Sequence, residues 1–169
     1  MASGFAIDIK VNAADVNRIV KGLSKVRLAA AVLGGKMMPA LGELVTKQHK
    51  RRINSEKRSP DGARWPANIR GNSVMVLTGA LAGSIHHQSG PLSTRISPGN
   101  FPYTRIHQTG GTIYPRRGRA LVFSVGGNKI FARKSRIPQR MYMGLSAANL
   151  AEIKIVVDKF AGGAFGWLR

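Results

Sequence analysis

The sequence predicts an α+β fold in which antiparallel β-hairpins pack with two N-terminal helices and one C-terminal helix. Apolar residues recur at helical spacing near both ends of the chain, and alternating segments separated by glycine turns occupy its middle. The strands and helices are also grouped rather than interleaved, which is typical of the α+β class. A chain of 169 residues has the usual length of a single domain. We divide it into an N-terminal strand and helix at 1–35, a core at 36–161 and a tail at 162–169.

The N-terminal third is predicted to form one strand and two helices. Residues 5–11 alternate between apolar and polar side chains, which predicts a half-buried strand. Apolar residues then recur every three or four positions from Val16 to Ala30, which predicts a first helix that Gly34 and Gly35 end. A second helix is predicted over 36–57, with Pro39 tolerated in its first turn. The predicted buried face of this helix comprises Met37, Leu41, Leu44, Val45 and Ile53.

The segment at 58–66 predicts a turn. Pro60 suits the second position of a type I turn and Gly62 suits its fourth. Trp65, next to Pro66, is predicted to hold this loop against the core. A short helical turn is predicted to follow over 77–85.

Two β-hairpins are predicted in the second half of the chain. The first joins strands at 86–88 and 93–97, and the second joins strands at 121–125 and 129–133 around Gly126-Gly127-Asn128. Residues 103–111 and a basic segment at 114–119 are predicted to be loops, with His107 packed beneath the first of them. Phe123 and Phe131 are predicted to lie in the core.

A last helix is predicted over 146–161, and the segment after it is expected to be mobile or to dock on a partner. Its apolar side chains recur at helical spacing, so that they form one stripe for packing against the core. The stripe comprises Leu150, Ile153, Val157 and Phe160.

The sequence excludes most catalytic chemistry. The chain has no cysteine, so disulfides, cysteine-ligated metals and thiol nucleophiles are ruled out. No phosphate-binding P-loop and no G-x-S-x-G motif occur. The four histidines, His49, His86, His87 and His107, do not have the spacing of a metal site. We therefore predict no enzymatic activity, no catalytic residue, no cofactor and no metal.

No apolar stretch reaches the ~20 residues that a membrane span needs, so no membrane association is predicted. The first residues also lack the basic and apolar regions of a secretory signal. A cytosolic origin is therefore expected.

Positive charge is the main chemical feature of the sequence. The chain has 27 Lys and Arg against 7 Asp and Glu, which gives a formal charge of +20 at pH 7. Segments 47–70 and 111–140 are the most basic, and no acidic residue occurs between Asp61 and Glu152. Such an excess cannot be neutralised within the chain, so we expect a polyanion or an acidic protein surface as partner. A simple solvated face is the alternative, particularly for the first cluster.

The basic residues fall into two clusters. The first contains Lys47, Lys50, Arg51, Arg52, Lys57 and Arg58, and the second contains Arg116, Arg117, Arg119, Lys129, Arg133, Lys134, Arg136 and Arg140. Loop and hairpin arginines suit phosphate contact, which needs charge and donors but no base readout. Contact with DNA or an acidic partner is predicted for Arg116, Arg117, Arg119, Lys129, Arg133, Lys134, Lys47, Lys50 and Arg51.

Four short segments together resemble the virion morphogenesis (tail completion) family of tailed bacteriophages, of the kind found in Mu-like phages. They read SPDGARWP at 59–66, LTGALAGSI at 77–85, YTRIHQTG at 103–110 and IPQRMYMGLS at 137–146. Each motif is short, but their order and spacing are more specific, and the resemblance spans about 36–160. The sequence departs from the family at Thr104, where alanine is usual, and at Met141-Tyr142-Met143.

The resemblance implies a non-enzymatic assembly protein that joins the tail to the DNA-filled head. It implies a homo-oligomeric ring, expected to be a hexamer, which binds the tail tube or tail terminator protein on one side. Head connector proteins would lie on the other side, with genomic DNA in the channel. The protein would belong to the virion and to the host cytoplasm during assembly. The alternative is a sequence-nonspecific nucleic-acid-binding protein; a hydrolase lacks the residues it needs.

Ten positions of these segments, the family-like positions, are given structural roles. Three are predicted to fix the loop at 59–66, five to build the core around the first hairpin, and two to anchor the approach to the last helix. In that order they are Pro60, Gly62, Trp65, Gly79, Leu81, Tyr103, His107, Gly110, Pro138 and Arg140.

Overall fold

The structure, a computed structural model, describes residues 7–10, 33–68, 74–76 and 78–165. These residues form an α+β fold, as predicted. The helices are α1 (Met38–Arg51), α2 (Ala80–Ser84), α3 (Thr104–Thr109) and α4 (Ala147–Phe165). The strands are β1 (Ile7–Lys10), β2 (His86–Ser89), β3 (Ser93–Ser97), β4 (Gly111–Ile113), β5 (Leu121–Val125), β6 (Asn128–Ala132) and β7 (Ser135–Ile137). The predicted first helix and the end of the predicted tail lie outside the described residues.

Helix α1 is extended at both ends by wider π-helical turns, at Leu33–Met37 and Arg52–Glu56. The whole helical segment therefore begins three residues before the predicted start. Gly34 and Gly35 lie within the first of these turns. The helix that they are predicted to end lies outside the described residues. A glycine costs only about 1 kcal/mol relative to alanine in a helix, which the burial of Met37 and Met38 can offset.

Helix α1 lies against a three-stranded antiparallel sheet with the order β1-β3-β2. The hairpin of β2 and β3 is confirmed, with β2 one residue longer than predicted. Thr94 and Ile96 of β3 are buried. Gly42 allows the close approach, because a Cβ atom there would lie 2.5 Å from the His87 ring and 2.6 Å from the Thr94 hydroxyl.

Two apolar clusters form the core. Val45 of α1 and Ile53 of the turn that follows it pack with Trp65, Ile96 and Tyr142 in the larger one. The smaller cluster joins the start of α1 to α4. It comprises Met37, Met38 and Leu41, with Ile153, Val156, Val157 and Phe160 packed against them.

Helix α4 differs from the prediction in length and in its buried side. It continues to Phe165, and Leu150 is 53% exposed, so the prediction that Leu150 belongs to the packing stripe is wrong. Asn149 takes the buried position in the first turn, because it is hydrogen-bonded to Arg52. Val156 completes the apolar side in place of Leu150.

The remaining strands form two separate ribbons. β4 pairs with β7, and β5 pairs with β6. The second hairpin is confirmed, but its turn has two residues: Asn128 already pairs with Val125, and Gly126 and Gly127 have φ of 55° and 84°. Positive φ at both turn residues matches the right-handed twist of the strands. The sequence did not predict α3, β4 or β7, and residues 103–111 are therefore not simply a loop.

Candidate interaction surface

Arg52 is an internal residue and not part of the cationic surface predicted from the sequence. It is 1% exposed, and one guanidinium nitrogen donates to the carbonyls of Tyr142 and Gly144, at 3.1 and 2.5 Å. The other donates to the Asn149 side-chain oxygen. Burial lowers the pKa of Arg52 from its ordinary value. These bonds fasten the end of α1 to the segment that leads into α4.

His49 lies one turn before Arg52 and makes a second fastening. Its Nδ1 donates to the Val45 carbonyl at 2.6 Å, and its Nε2 accepts the Gly144 N–H at 3.1 Å. The ring is fully buried, and this burial lowers the pKa of His49 to about 4. Because Nε2 must accept a hydrogen bond, the neutral ring is the form that fits.

Gln108 and Arg140 attach the other side of the same segment. The Gln108 side-chain oxygen accepts the N–H groups of Tyr142 and Met143, at 3.1 and 3.0 Å. The Arg140 guanidinium donates to the carbonyls of Pro66 and Ala67, at 3.0 and 3.1 Å. Arg140 is buried, so it is also not available to a charged partner, contrary to its place in the second basic cluster.

Six of the ten family-like positions meet at one cavity of about 630 Å³. They come from α2, from the start of α3 and from the residues after β7, and they are Gly79, Leu81, Tyr103, His107, Pro138 and Arg140. Leu81 is buried, whereas Tyr103 is 38% exposed and stacks on Phe101 with ring centres 5.1 Å apart. Tyr103 thus lies at the edge of the core and not inside it. Gly110 lines a neighbouring cavity with Pro138.

His107 lies between this cavity and the protein interior. Its ring meets Tyr103 edge-on, with centres 6.2 Å apart, and its backbone carbonyl accepts the Arg140 N–H at 2.7 Å. Burial, and secondarily the nearby Arg140 charge, lower the pKa of His107. Its Nδ1 is buried without a hydrogen-bond partner among the described residues.

The other three family-like positions lie in the loop after α1. The Gly62 N–H donates to the Ser59 carbonyl at 2.9 Å, which closes a turn with Pro60 at its second position. Trp65 is buried in the larger apolar cluster, and its indole N–H donates to the Ser59 hydroxyl at 3.1 Å. Pro60 packs on Gly144, where a Cβ atom would come within 2.7 Å of the proline ring.

Residues of α1, the turn that follows it, and α4 form ion pairs with one another. Lys47 pairs with Glu43 at 2.8 Å, and Lys154 pairs with Asp158 at 2.6 Å. Arg51 bridges Glu56 and Glu152, each at 2.7 Å. Two of the three α1 residues predicted to contact DNA or an acidic partner, Lys47 and Arg51, are therefore matched by carboxylates of their own chain, and Lys50 is half-buried.

The basic residues around β5 and β6 have no such match. None makes an ion pair with a carboxylate in the described part of the chain, and all are exposed. We call this set the basic hairpin surface: Arg116, Arg117, Arg119, Lys129, Arg133, Lys134 and Arg136. It is a concentration of uncompensated positive charge on a folded scaffold.

The same hairpin exposes apolar side chains. Val122 and Phe131 stand directly opposite each other and are 59% and 68% exposed. The prediction that Phe131 lies in the core is wrong, because this face of the ribbon is not covered within the described subunit. Phe123 points to the other face, is half-buried and lines the cavity that Tyr103 and His107 also line. Grouped exposed apolar residues are typical of contact surfaces.

Sequence reasoning missed the polar side chains that hold the core together. Gln48, Gln108 and Asn149 are all buried and hydrogen-bonded. One signal was available: Gln48, His49 and Arg52 interrupt the apolar face between Val45 and Ile53, where a helix that merely buries a stripe would continue with apolar residues.

The described residues hold no group of three or more His, Cys, Asp or Glu that could bind a metal ion. None of the helices in the described ranges combines the length and apolar character needed to cross a bilayer.

A basic and partly apolar hairpin exposed on the outside of a folded core is typical of proteins that assemble with other macromolecules. A model described as the phage virion morphogenesis family matches residues 11–160. The chain therefore belongs to the phage virion morphogenesis family, which gives it a role in phage structure and assembly. No curated protein and no solved structure matches the chain.

Proposed function

We propose that this assembly protein acts at the head–tail junction, where it completes the tail and joins it to the DNA-filled head. The proposed form is a homo-oligomeric ring, expected to be a hexamer. The observation that carries the proposal is the basic hairpin surface, which is exposed and without ion pairs to the described carboxylates on a member of a virion morphogenesis family. The protein acts by binding and not by catalysis.

A ring around a DNA channel explains the distribution of charge. Phosphates attract exposed arginines whatever the base sequence, and they replace the carboxylates that the hairpin lacks. Arg116, Arg117 and Arg119 supply several donors on a short segment before β5. In this proposal they face the channel or an acidic neighbour, while the ion-paired surface of α1 and α4 faces elsewhere.

The proposed partners are those of a junction protein. The tail tube or tail terminator protein binds one face of the ring, and head connector proteins bind the other. Genomic DNA passes through the centre.

Deletion of the gene tests this role directly. We expect filled heads and separate, finished tails in electron micrographs of the lysate. A plasmid copy of the chain should restore joined particles. Joined virions in the absence of the protein would refute the junction role.

Two triple variants that lose the same charge at different positions test whether the basic hairpin surface is needed. We expect joining or DNA retention to be lost when Arg116, Arg117 and Arg119 are all changed to Gln. The control changes Arg64, Arg105 and Lys159 to Gln, because these residues are also exposed and the loss of charge is identical. Equal effects of the two triple variants would remove the basic hairpin surface from the mechanism.

Salt dependence separates the junction role from free nucleic-acid binding. A free binder that makes 6–10 phosphate contacts loses roughly 10³–10⁵ in affinity between 50 and 200 mM salt. We expect the isolated subunit to bind DNA weakly and the assembled ring to bind it strongly. Tight, salt-sensitive binding by the monomer, together with normal joining in its absence, would favour the nucleic-acid-binding alternative.

A further inference from the structure

Both strands of the β5–β6 ribbon are edge strands within the described part of the chain, where they pair with each other and with no further strand. An isolated two-stranded ribbon is only marginally stable in water. Natural edge strands usually carry a charge, a proline or a bulge that keeps other strands away. β5 has the sequence LVFSV and a regular ladder, so it carries none of these. Its outer edge is therefore open to a further strand.

The turn of the hairpin fixes which main-chain groups point outwards. A two-residue turn of this type closes on a hydrogen-bonded pair, here Val125 with Asn128. Hydrogen-bonded and non-hydrogen-bonded pairs then alternate along an antiparallel ladder. The N–H and C=O groups of the non-hydrogen-bonded pairs point away from the ribbon, towards its two edges. These pairs are Ser124 with Lys129 and Val122 with Phe131.

The β5 edge and the β6 edge are complementary to each other. β5 and β6 are antiparallel, so the β6 edge of a second copy can meet the β5 edge of the first in antiparallel orientation. The four residues with outward main-chain groups also have exposed side chains on one face. Pairing these residues therefore keeps the half-buried faces of both ribbons on the same side. Val122 would then lie between Phe131 of its own copy and Phe131 of the next.

Charge favours this arrangement over the pairing of two β6 edges. β6 contains Lys129 and is followed by Arg133, so two β6 edges would bring like charges together. β5 contains no charged residue and accepts β6 without repulsion. Two β5 edges could also pair, but that contact would leave both β6 edges open. Pairing β5 with β6 around a closed ring leaves no edge of this ribbon open.

We propose that the β5 edge of one copy pairs with the β6 edge of the next, with Ser124 opposite Lys129 and Val122 opposite Phe131. The contact joins two different edges, so it is head-to-tail, and repetition by rotation closes a ring. Lys129 recurs on one face of the extended sheet, as a row of cations suited to phosphates. This inference rests on the proposed function and specifies how the ring subunits touch.

A proline in β5 tests the main-chain contact. Ser124→Pro removes an N–H that points away from β6, so the ribbon keeps its own ladder but loses a donor to the next copy. Ser124→Ala, the control, keeps this N–H. We expect Ser124→Pro to weaken self-association by at least about tenfold, because an acceptor of the next copy is left unpaired. Analytical ultracentrifugation measures the constants, and equal effects of the two variants would refute the proposal.

A second proline variant tests the head-to-tail arrangement. Lys129→Pro makes the same change on the β6 edge and leaves the β5 edge intact, whereas Ser124→Pro leaves the β6 edge intact. We expect each variant alone to be monomeric and an equimolar mixture to form a dimer that does not grow further. Self-association of Lys129→Pro alone would overturn the proposal, because it would show that two β5 edges meet.

Crosslinking tests the same contact in assembled particles, since the chain has no cysteine of its own. The Cα atoms of a hydrogen-bonded antiparallel pair are about 5.5 Å apart, within the range that a disulfide bridges. Ser124→Cys and Lys129→Cys are expressed together during phage assembly, and the joined particles are oxidised. We expect a covalent dimer of the two variants. The control pairs Ser124→Cys with Arg64→Cys, an exposed position elsewhere, and should give none.

The outcomes separate this contact from the junction role. We expect separate heads and tails with Ser124→Pro and joined particles with Ser124→Ala. Joined particles made with Ser124→Pro, or without the mixed disulfide dimer, would overturn the contact and leave the junction role intact. A wild-type chain that stays monomeric at high concentration and gives no mixed dimer in joined particles would overturn both the contact and the ring.

Discussion

The helical side of the molecule and the β5–β6 hairpin use the same residue types in opposite ways. On the helical side, Arg52 is buried and donates to main-chain carbonyls, and Arg51 is held by two carboxylates. On the hairpin, arginines and a phenylalanine are exposed, with no ion pair to a described carboxylate. The comparison teaches that arginine content alone does not locate the binding surface. What matters is whether the chain supplies acceptors for each guanidinium.

Removal of the Arg52 guanidinium should have the largest effect on stability. Arg52→Met keeps an apolar stem but leaves the carbonyls of Tyr142 and Gly144 without a donor, while the Asn149 oxygen still accepts the Ser146 N–H. Each unsatisfied buried acceptor costs about 1–3 kcal/mol, so we expect a loss of about 2–6 kcal/mol. Urea unfolding measures it. Arg64→Met, at an exposed position, should change stability by less than about 0.5 kcal/mol, and similar losses would contradict the internal role.

Lowering the pH should destabilise the folded chain, because His49 on the helical side becomes protonated. Its pKa is about 4 in the folded chain and about 6.5 when unfolded, so the unfolded state binds the extra proton as the pH falls. The stabilisation that the neutral His49 ring provides is complete above pH 6.5 and is lost progressively as the pH falls to about 4. The shift corresponds to about 3 kcal/mol. We expect the pH dependence of urea unfolding to flatten in this range in a His49→Gln variant; an unchanged profile would contradict the assignment.

Two glycine-to-alanine substitutions should change the stability of the folded chain in opposite directions. Gly42→Ala places a Cβ against His87 and Thr94, and we expect it to destabilise the chain by about 1–3 kcal/mol. Gly35→Ala lies in an open helical turn with nothing within 4 Å, and we expect a gain of about 0.5–1 kcal/mol. Thermal unfolding compares them. A gain in stability from Gly42→Ala would show that the close approach of α1 to the sheet is not what requires Gly42.

The smallest effect on folding is expected on the hairpin. Phe131→Ser removes an exposed cross-strand partner of Val122, which contributes about 0.2–1 kcal/mol. Folding of the subunit should therefore change little. A large drop in stability on urea unfolding would show that Phe131 supports the fold and would erase the contrast between the two regions.

Local patterns predicted much of the fold. Periodicity and turn residues indicated α1, α2, α4 and both hairpins, because each is specified by neighbouring residues along the chain. α3, β4 and β7 could not be predicted in the same way. They have six, three and three residues, and β4 and β7 pair across more than twenty intervening residues. Segments this short contain too few residues to show the periodicity of a helix or a strand, so their sequences are typical of loops.

The charge of the candidate surface could be predicted from the sequence, but which of the basic residues are exposed could not. Arg116, Arg117 and Arg119 are exposed as the sequence indicated, whereas Arg52 and Arg140 are internal. Whether an arginine is internal depends on main-chain carbonyls that are distant in the sequence. A single sequence does not show which arginine will lie next to the carbonyls of Tyr142 or Pro66. Phe131 was misplaced for a related reason: alternation identifies the two faces of a ribbon but not which of them another part of the chain covers.

The glycine pair at the end of the β5–β6 hairpin leaves the tip without side chains. Gly126 and Gly127 contribute only main-chain atoms, and their left-handed conformations exclude most other residues. The tip is consequently as thin as two peptide strands. The hairpin therefore presents main-chain amide and carbonyl groups at its end and charged side chains along its flanks.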